Sequence, residues 1–389
     1  MVKALLIGLA IVAGLAFGLR YLAPVLLDRT YYHGPESGHY REGRFFNPDA
    51  ARDLEANGPR RFPLRLMIRF MLGRDRAPWP RSVPVIPAKP PQRVDGETMR
   101  VTWIGHSTVL VQTQGLNILT DPVWSARASP FGFMGPKRVR EPGVRFDDLP
   151  KIDLVLVSHN HYDHLDVATL KRLWQRDRPL IVTPLGNDAL LAKQGVTAIA
   201  KDWGERVPVR PGVEVVIDRV HHWTSRWMFD RNRALWCGFT VVLPGGNLFF
   251  AGDTGAGDMR WPEEAARAGP VRLALIPIGA YLPREVMRAS HIGPGDAVAI
   301  FQKPGAAYAL GVHWGTFQLS SEPIDAPPEL LAHTLAIDHI APDRFRTIEA
   351  GAAWLVPSLE TYRNLAETLQ DDTARMRAGS PAPASGRNG

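Results

Sequence analysis

Six consecutive residues, His159-Asn160-His161-Tyr162-Asp163-His164, supply three imidazoles, a carboxylate and a phenol, all groups that bind metals or carry protons. The run Asp153-Leu154-Val155-Leu156-Val157-Ser158 just before it reads as a buried strand, and Val167 to Arg176 just after it reads as a helix. In an extended turn, side chains at i and i+2 point the same way, so His159 and His161 can close on one cation. Asp163 and His164, at the start of the following helix, can face a second. Neutral imidazoles with a carboxylate, and few thiolates in reach, favour zinc, with iron or manganese as the alternatives.

A lone histidine in a loop would carry no such reading, but three more ligand-type residues each end a separate β-like run. His222 follows Val213 to Val220, Asp253 follows Asn247 to Gly252, and His313 follows Ala307 to Val312. Four strand ends therefore point to one edge of a sheet structure, where two metals can meet. On spacing alone His221 serves as well as His222. Gly105-His106-Ser107 lacks the strained strand-to-helix pattern of a serine nucleophile, so metal chemistry is the stronger reading.

The order His-x-His-x-Asp-His, then separate His, Asp and His, resembles the metallo-β-lactamase superfamily. Further stretches resemble its N-acyl-phosphatidylethanolamine-hydrolysing phospholipase D branch: Thr102-Trp103-Ile104-Gly105-His106-Ser107, Thr120-Asp121-Pro122, Met134-Gly135-Pro136-Lys137-Arg138, His222-Trp223, Ala251-Gly252-Asp253-Thr254-Gly255 and His313-Trp314-Gly315-Thr316-Phe317. The likeness runs over roughly residues 98 to 330, and weakly over Arg44 to Pro48. It implies an α/β fold, a four-layer αββα sandwich of two mixed sheets with helices outside. It also implies one zinc on His159, His161 and His222, a second on Asp163, His164 and His313, and Asp253 bridging the two.

The His222-Trp223 pair matches the family and selects His222 over His221. His291, in Ser290-His291-Ile292-Gly293-Pro294, corresponds to a family histidine beside the substrate phosphate; without the resemblance it reads as a surface-loop residue. His106 is expected to support or orient a ligand without being one. The implied reaction is phospholipase D-type hydrolysis of an N-acyl-phosphatidylethanolamine-like phospholipid. Two metals lower the pKa of a shared water, Asp163 and Asp253 hold the nucleophile as well as the metals, and His291 serves the departing oxygen. A metallo-hydrolase of a soluble phosphodiester or lactone is the alternative enzyme, and a lipid-binding scaffold the alternative of another class, because fold does not choose a substrate.

Composition narrows the class. At 389 residues, 45% hydrophobic and 22% charged, the chain has the make-up of a globular protein with a sizeable core. Its one cysteine, Cys237, excludes an intramolecular disulfide and a cysteine-rich metal site. Ala4 to Leu19 is uncharged, and apolar character resumes from Tyr21 to Leu27, so residues 1–28 read as an uncleaved single-pass inner-membrane anchor in preference to a removed signal peptide. Arginines on both sides leave the membrane side open. Residues 29–97 form a basic Pro- and Arg-rich connecting region, 98–375 the hydrolase domain and 376–389 a disordered tail. From Gly58 to Arg100 ten Lys or Arg face three Asp or Glu, an excess equal to the +7 charge of the whole chain.

Within that region Arg61 to Leu72 mixes bulky aliphatics with arginines at i and i+4, as an interfacial helix or a helix packed on the catalytic domain does. The arginines lack a row of stacking aromatics, so no nucleic-acid partner is expected. The expected partners are a phospholipid substrate and a membrane, with a dimer as one option for assembly.

Overall fold

Short, β-branched runs separated by turn residues build sixteen strands among the described residues of the computed structural model. The structure describes residues 2–18, 31–49, 73–227 and 229–364, with Arg65, Ile68, Arg69 and Glu367. A small hairpin, β1 (Tyr40–Arg41) and β2 (Arg44–Phe45), precedes two seven-stranded sheets. The first contains β3 (Met99–Gly105), β4 (Thr108–Thr113), β5 (Leu116–Thr120), β6 (Leu154–Leu156), β7 (Leu180–Pro184), β8 (Ile199–Lys201) and β16 (Ala353–Val356), in the order β16-β3-β4-β5-β6-β7-β8. The second contains β9 (Arg206–Arg210), β10 (Val213–Asp218), β11 (Gly238–Val242), β12 (Asn247–Phe250), β13 (Val271–Pro277), β14 (Tyr308–Val312) and β15 (Phe345–Arg346), in the order β15-β14-β13-β12-β11-β10-β9. In each sheet the strands are antiparallel on one side and parallel on the other. Both sheets are therefore mixed, as expected.

The inner faces of the two sheets share one core. Trp103, Val109, Val111 and Ile118 of the first sheet belong to the same buried cluster as Val215, Phe239, Phe249 and Leu275 of the second. Parallel strands must be covered on both faces, and here helices do it. After the apolar N-terminal helix α1 (Val2–Phe17), α2 (Val167–Asp177) and α3 (Asn187–Ala192) lay Leu170, Leu173, Leu190 and Leu191 on Leu119, Val155 and Ile181 of the first sheet. On the second sheet α4 (Trp261–Ala265), α5 (Arg284–Met287), α6 (Pro294–Gln302) and α7 (Ala326–Ile337) follow, and α4, α6 and α7 contribute Trp261, Phe301 and Leu335 to the central cluster. The helix expected from Val167 to Arg176 is α2, while α6 and α7 each carry proline in the first turn, where it is well tolerated.

The N-terminal region bears directly on the membrane reading. Helix α1 has 16 residues, about 24 Å at 1.5 Å per residue, against about 30 Å of bilayer hydrocarbon. No helix among the described residues is long and apolar enough to cross a membrane, so the expected single-pass anchor is not seen there. The segment Arg61 to Leu72, apart from Arg65, Ile68 and Arg69, and the tail 376–389 lie outside the described residues. The described parts of the connecting region contribute to the domain. Tyr40 and Phe45 are buried in the central cluster, the Tyr31 hydroxyl donates to Asp230 at 2.9 Å, and the Trp79 indole donates to the Glu322 carbonyl at 2.9 Å.

Candidate metal centre

Strands that run in one direction within their sheets deliver their C-terminal ends to the same edge of the sandwich. His106 follows β3, Asp121 follows β5, the His159–His164 loop follows β6, His222 follows β10, Asp253 follows β12 and His313 follows β14. The turns that redirect the chain there are tight. His106, Asp121 and His313 have positive φ of 55°, 30° and 62°, an arrangement that costs of order 1 kcal/mol for a non-glycine residue and persists only where surrounding structure imposes it. Gly252, beside Asp253, has φ of 62°, and a Cβ there would lie 2.7 Å from the Ser158 Cβ, so the approach of the two sheets requires glycine.

The seven expected ligands come together as two adjoining groups. His159 Nε2 is 2.8 Å from His161 Nδ1, which is 3.4 Å from His222 Nε2. In the second group Asp163 Oδ2 lies 3.4 Å from His164 Nε2 and 3.5 Å from His313 Nε2. Asp253 Oδ2 lies between them, 3.1 Å from both His164 Nε2 and His313 Nε2 and 3.9 Å from His222 Nε2. Donors about 2.0–2.2 Å from one tetrahedral ion stand roughly 3.2–3.5 Å apart, which is the spacing of His161 and His222 and of Asp163 with His164 and His313.

Hydrogen bonding gives an independent test of that fit. Nε2 of His164 and of His313, Oδ1 of Asp253, Nε2 of His161 and Nδ1 of His291 are buried with no hydrogen-bond partner. Each such atom costs about 1–3 kcal/mol if nothing satisfies it. An imidazole and carboxylate set converging with its inward-facing atoms unpaired is what a cation site requires, and no thiol takes part. Cys237 is buried in the core.

Partners behind the ligands fix their orientation. Asp121 Oδ2 accepts from His164 Nδ1 at 2.6 Å and from the Ser158 hydroxyl at 2.6 Å, and Oδ1 accepts from Ser158 N at 2.7 Å. Ser158 Oγ is in turn 2.9 Å from His159 Nδ1. The Ser290 carbonyl accepts from His222 Nδ1 at 2.8 Å, which points Nε2 of His222 into the site. His106 Nε2 donates to Asp163 Oδ2 at 3.0 Å, the supporting contact expected of it, and it also borders the second ligand group.

His221 faces away from the cluster. Its Nδ1 lies 3.0 Å from both carboxylate oxygens of the buried Asp49, while Asn47 donates to the His222 carbonyl at 2.9 Å. A strap more than 170 residues upstream thus holds the His221-His222 pair from behind.

The two groups differ electrically. Burial keeps His159 and His222 well below the ordinary imidazole range and His161 at about 4, so all three are neutral near pH 7. Burial acts the same way on His164 and His313, but the facing Asp253 and Asp163 carboxylates outweigh it. They raise His164 well above its usual value and His313 to about 9. His291, between α5 and α6, is held at about 4 by burial, with Nδ1 3.7 Å from Asp253 Oδ2. The resemblance located it; no spacing in the sequence could.

The cluster opens into a cavity of about 590 Å³. Its wall combines Val286, Met287, Ala128 and Leu319 with Trp223 and Arg231, whose guanidinium sits 4.0 Å over the Trp223 ring. Sequence reasoning assigned no role to Asp121, Ser158, Asp49 or Arg231. Asp121 was legible as a carboxylate at the end of an apolar strand, whereas the contact of Asp49 with His221 leaves no local signal.

Comparisons with known proteins agree with this geometry. A sequence profile of the beta-lactamase superfamily domain matches residues 116–314. The N-acyl-phosphatidylethanolamine-hydrolyzing phospholipase D 1 of Caenorhabditis elegans is 37% identical over 268 residues, 65% of this chain and 74% of that protein. The mitochondrial N-acyl-phosphatidylethanolamine-hydrolyzing phospholipase D of Saccharomyces cerevisiae is 36% identical over 236 residues, 59% of this chain and 50% of that protein. A metallo hydrolase from Ignicoccus hospitalis superposes with a TM-score of 0.51 at 20% identity, covering 66% of this chain and 97% of that one, which bears on the fold alone. A profile spanning half the chain and a relative at this identity place it: the chain belongs to the metallo-β-lactamase superfamily, as a metal-dependent hydrolase resembling the N-acyl-phosphatidylethanolamine-hydrolysing phospholipase D branch.

Proposed function

We propose that this chain is a binuclear zinc phosphodiesterase of the phospholipase D type, acting on an N-acyl-phosphatidylethanolamine-like phospholipid. The observation that carries the reading is the wall of the cavity. An arginine stacked on Trp223, with no carboxylate ion-paired to it among the described residues, stands beside an apolar surface of Val286, Met287 and Leu319 at the mouth of a His/Asp cluster. An anionic head and a greasy tail suit such a wall. The names of the worm and yeast relatives support the same substrate class.

His159, His161 and His222 would hold one zinc, and Asp163, His164 and His313 the other, with Asp253 between them; iron and manganese take the same donors. Bound metals of this kind supply Lewis acidity toward a phosphoryl oxygen and an activated water. The chain's own groups do the rest. Asp163 is locked by His106, so its carboxylate does not swing away. His291, neutral because it is buried, offers an N–H to the phosphoryl or departing oxygen. Hydrolysis breaks the bond between phosphorus and the head-group oxygen; water leaves its oxygen on phosphorus and its proton on the departing alcohol. Such a substrate sits at a membrane surface, and we read the apolar run Ala4 to Leu27 as the element that keeps the chain there.

A substrate panel tests the reading: N-acyl-phosphatidylethanolamine in mixed micelles, bis(4-nitrophenyl) phosphate and a long-chain lactone, each with metal content measured. Phospholipid turnover that Asp253→Asn removes supports it. Lactone hydrolysis without phosphodiesterase activity, or full activity in metal-free protein, sinks it.

A further inference from the structure

The loop from Arg127 to Lys137 is built to hold apolar side chains in solvent. Its ends are tied together by the Ala128 N–H to the Pro136 carbonyl at 3.0 Å and the Arg138 N–H to the Ala126 carbonyl at 2.9 Å. The Arg127 guanidinium reaches into the loop and donates to the carbonyls of Gly132 at 3.1 Å and Gly135 at 2.7 Å. Gly135 has φ of 96°, and a Cβ there would meet the Ser129 Cβ at 2.6 Å, so the turn closes tightly. Presented on this frame, Phe131, Phe133 and Met134 are 38%, 79% and 54% exposed, with the two rings 5.6 Å apart.

Single exposed apolar residues need no explanation, but three in four positions on a braced loop do. The setting says what covers them. From Trp124 to Arg140 there is no acidic residue, and of the basic ones Arg127 and Lys137, at the two ends of the loop, are not buried. Lys137 is exposed, and Arg127 donates to carbonyls, with no carboxylate paired to it among the described residues. The root of the loop, Ala128, lines the cavity of the metal centre. A second part of the rim repeats the chemistry: Trp227, 41% exposed, lies between Ser225 and Arg231, both of which line the same cavity. Asp230 accepts from Trp227 N at 2.8 Å and fixes that turn.

We propose that this rim docks on a bilayer bearing anionic lipids. Phe131, Phe133, Met134 and Trp227 enter the acyl boundary, while Arg127, Lys137 and Arg231 sit among the head groups. The cavity mouth then faces the surface from which a lipid is drawn. This deepens the lipid-substrate reading and rests on it only for the purpose of docking. The basic residues and the braced apolar tip favour a bilayer over a second copy of the chain.

Depth measurement in the full-length chain tests the proposal. Cys237 is buried and is the only cysteine in the sequence, so Phe133→Cys and Ile337→Cys each take one environment-sensitive fluorophore. Ile337 is 61% exposed at the end of α7, which leads toward β15, and it is not part of the lining of the metal-centre cavity. Both labelled chains are bound to phosphatidylcholine–phosphatidylglycerol vesicles carrying nitroxide lipids. The label at 133 should be quenched at a depth of about 5–10 Å below the phosphates, where amphipathic surface elements settle. The label at 337 should stay in water and so account for tethering by any other segment.

Matching thermal midpoints show that both variants are folded. Equal, water-like signals at 133 and 337 in bound protein overturn the docking rim. So does shielding of the 133 label without vesicles that grows with protein concentration, which would mean a second copy. Since no turnover is read, a failed substrate panel leaves this result standing, and the reverse holds too.

Discussion

Replacing Asp121 by Asn removes one charge from behind both halves of the metal centre at once. In the native arrangement its Oδ2 takes the His164 Nδ1 proton and the Ser158 hydroxyl proton, and its Oδ1 takes the Ser158 amide proton. An amide cannot reproduce that. With its NH₂ toward His164, it forces the proton of that imidazole onto Nε2, the atom that faces Asp253 and would bind the cation. With its NH₂ toward Ser158 N, two donors confront each other in a buried site, a loss of about 1–3 kcal/mol. Loss of such an orienting partner typically weakens metal binding 10- to 100-fold, about 1.4–2.7 kcal/mol. Because a ligand stabilises the folded state by RT ln(1 + [L]/Kd), the metal-dependent part of stability should fall by about the same amount. Chelator competition gives the two dissociation constants, and thermal melts with and without metal give the stability difference. Wild-type metal affinity in Asp121→Asn, with an unchanged melt of the metal-free protein, would refute the claim that Asp121 orients the ligands.

Two further expectations concern protons. The His159, His161 and His222 group is already neutral near pH 7, whereas a cation at the Asp163, His164 and His313 group must displace protons from imidazoles raised by the carboxylates, His313 to about 9. Calorimetry in buffers of different ionisation enthalpy should therefore show one metal bound without proton release and one bound with it, the second tightening about tenfold per pH unit per proton below pH 9; equal release in both steps contradicts this. Asp218, on β10, is a buried carboxyl held at about 7 by burial, against which its bond from Thr240 works. Because its folded pKa is raised, stability is full below about pH 4 and is lost as pH rises through 7, by about 4 kcal/mol at most. Asp218→Asn should thus unfold at higher denaturant than the native chain at pH 8 and lose that advantage at pH 4. A variant weakened equally at both pH values would remove Asp218 from this role.

The metal centre was legible because strand ends announce themselves. A β-like run followed by His or Asp fixes where a side chain emerges, and His222, Asp253 and His313 each carried that mark. The split between His221 and His222 was not legible from spacing. It is decided by Asp49 and by the Ser290 carbonyl, which take the two Nδ1 atoms in different directions. Helix α2 was readable in the sequence, and it is fixed by Asp166, which caps Ala168 and Thr169. The apolar N-terminus is the opposite case: length and hydropathy predicted a spanning helix, and no helix among the described residues is long and apolar enough to be one. Contacts such as Arg127 with the carbonyls of its own loop depend on backbone geometry that composition does not encode.

The strap formed by Asn47 and Asp49 has a consequence for the order in which this protein assembles. Its contacts to His222 and His221 join residues 175 and 172 positions apart. Closing so long a loop costs chain entropy before any contact repays it, so these contacts are expected to form after the pairing of nearer strands. Each sheet can pair from its nearer strands first, while the His221-His222 turn waits for the strap to arrive. Metal capture by the complete set of histidines therefore reports a finished tertiary structure. A nascent chain that has made only its local hairpins offers the cation fewer fixed imidazoles and holds it more loosely.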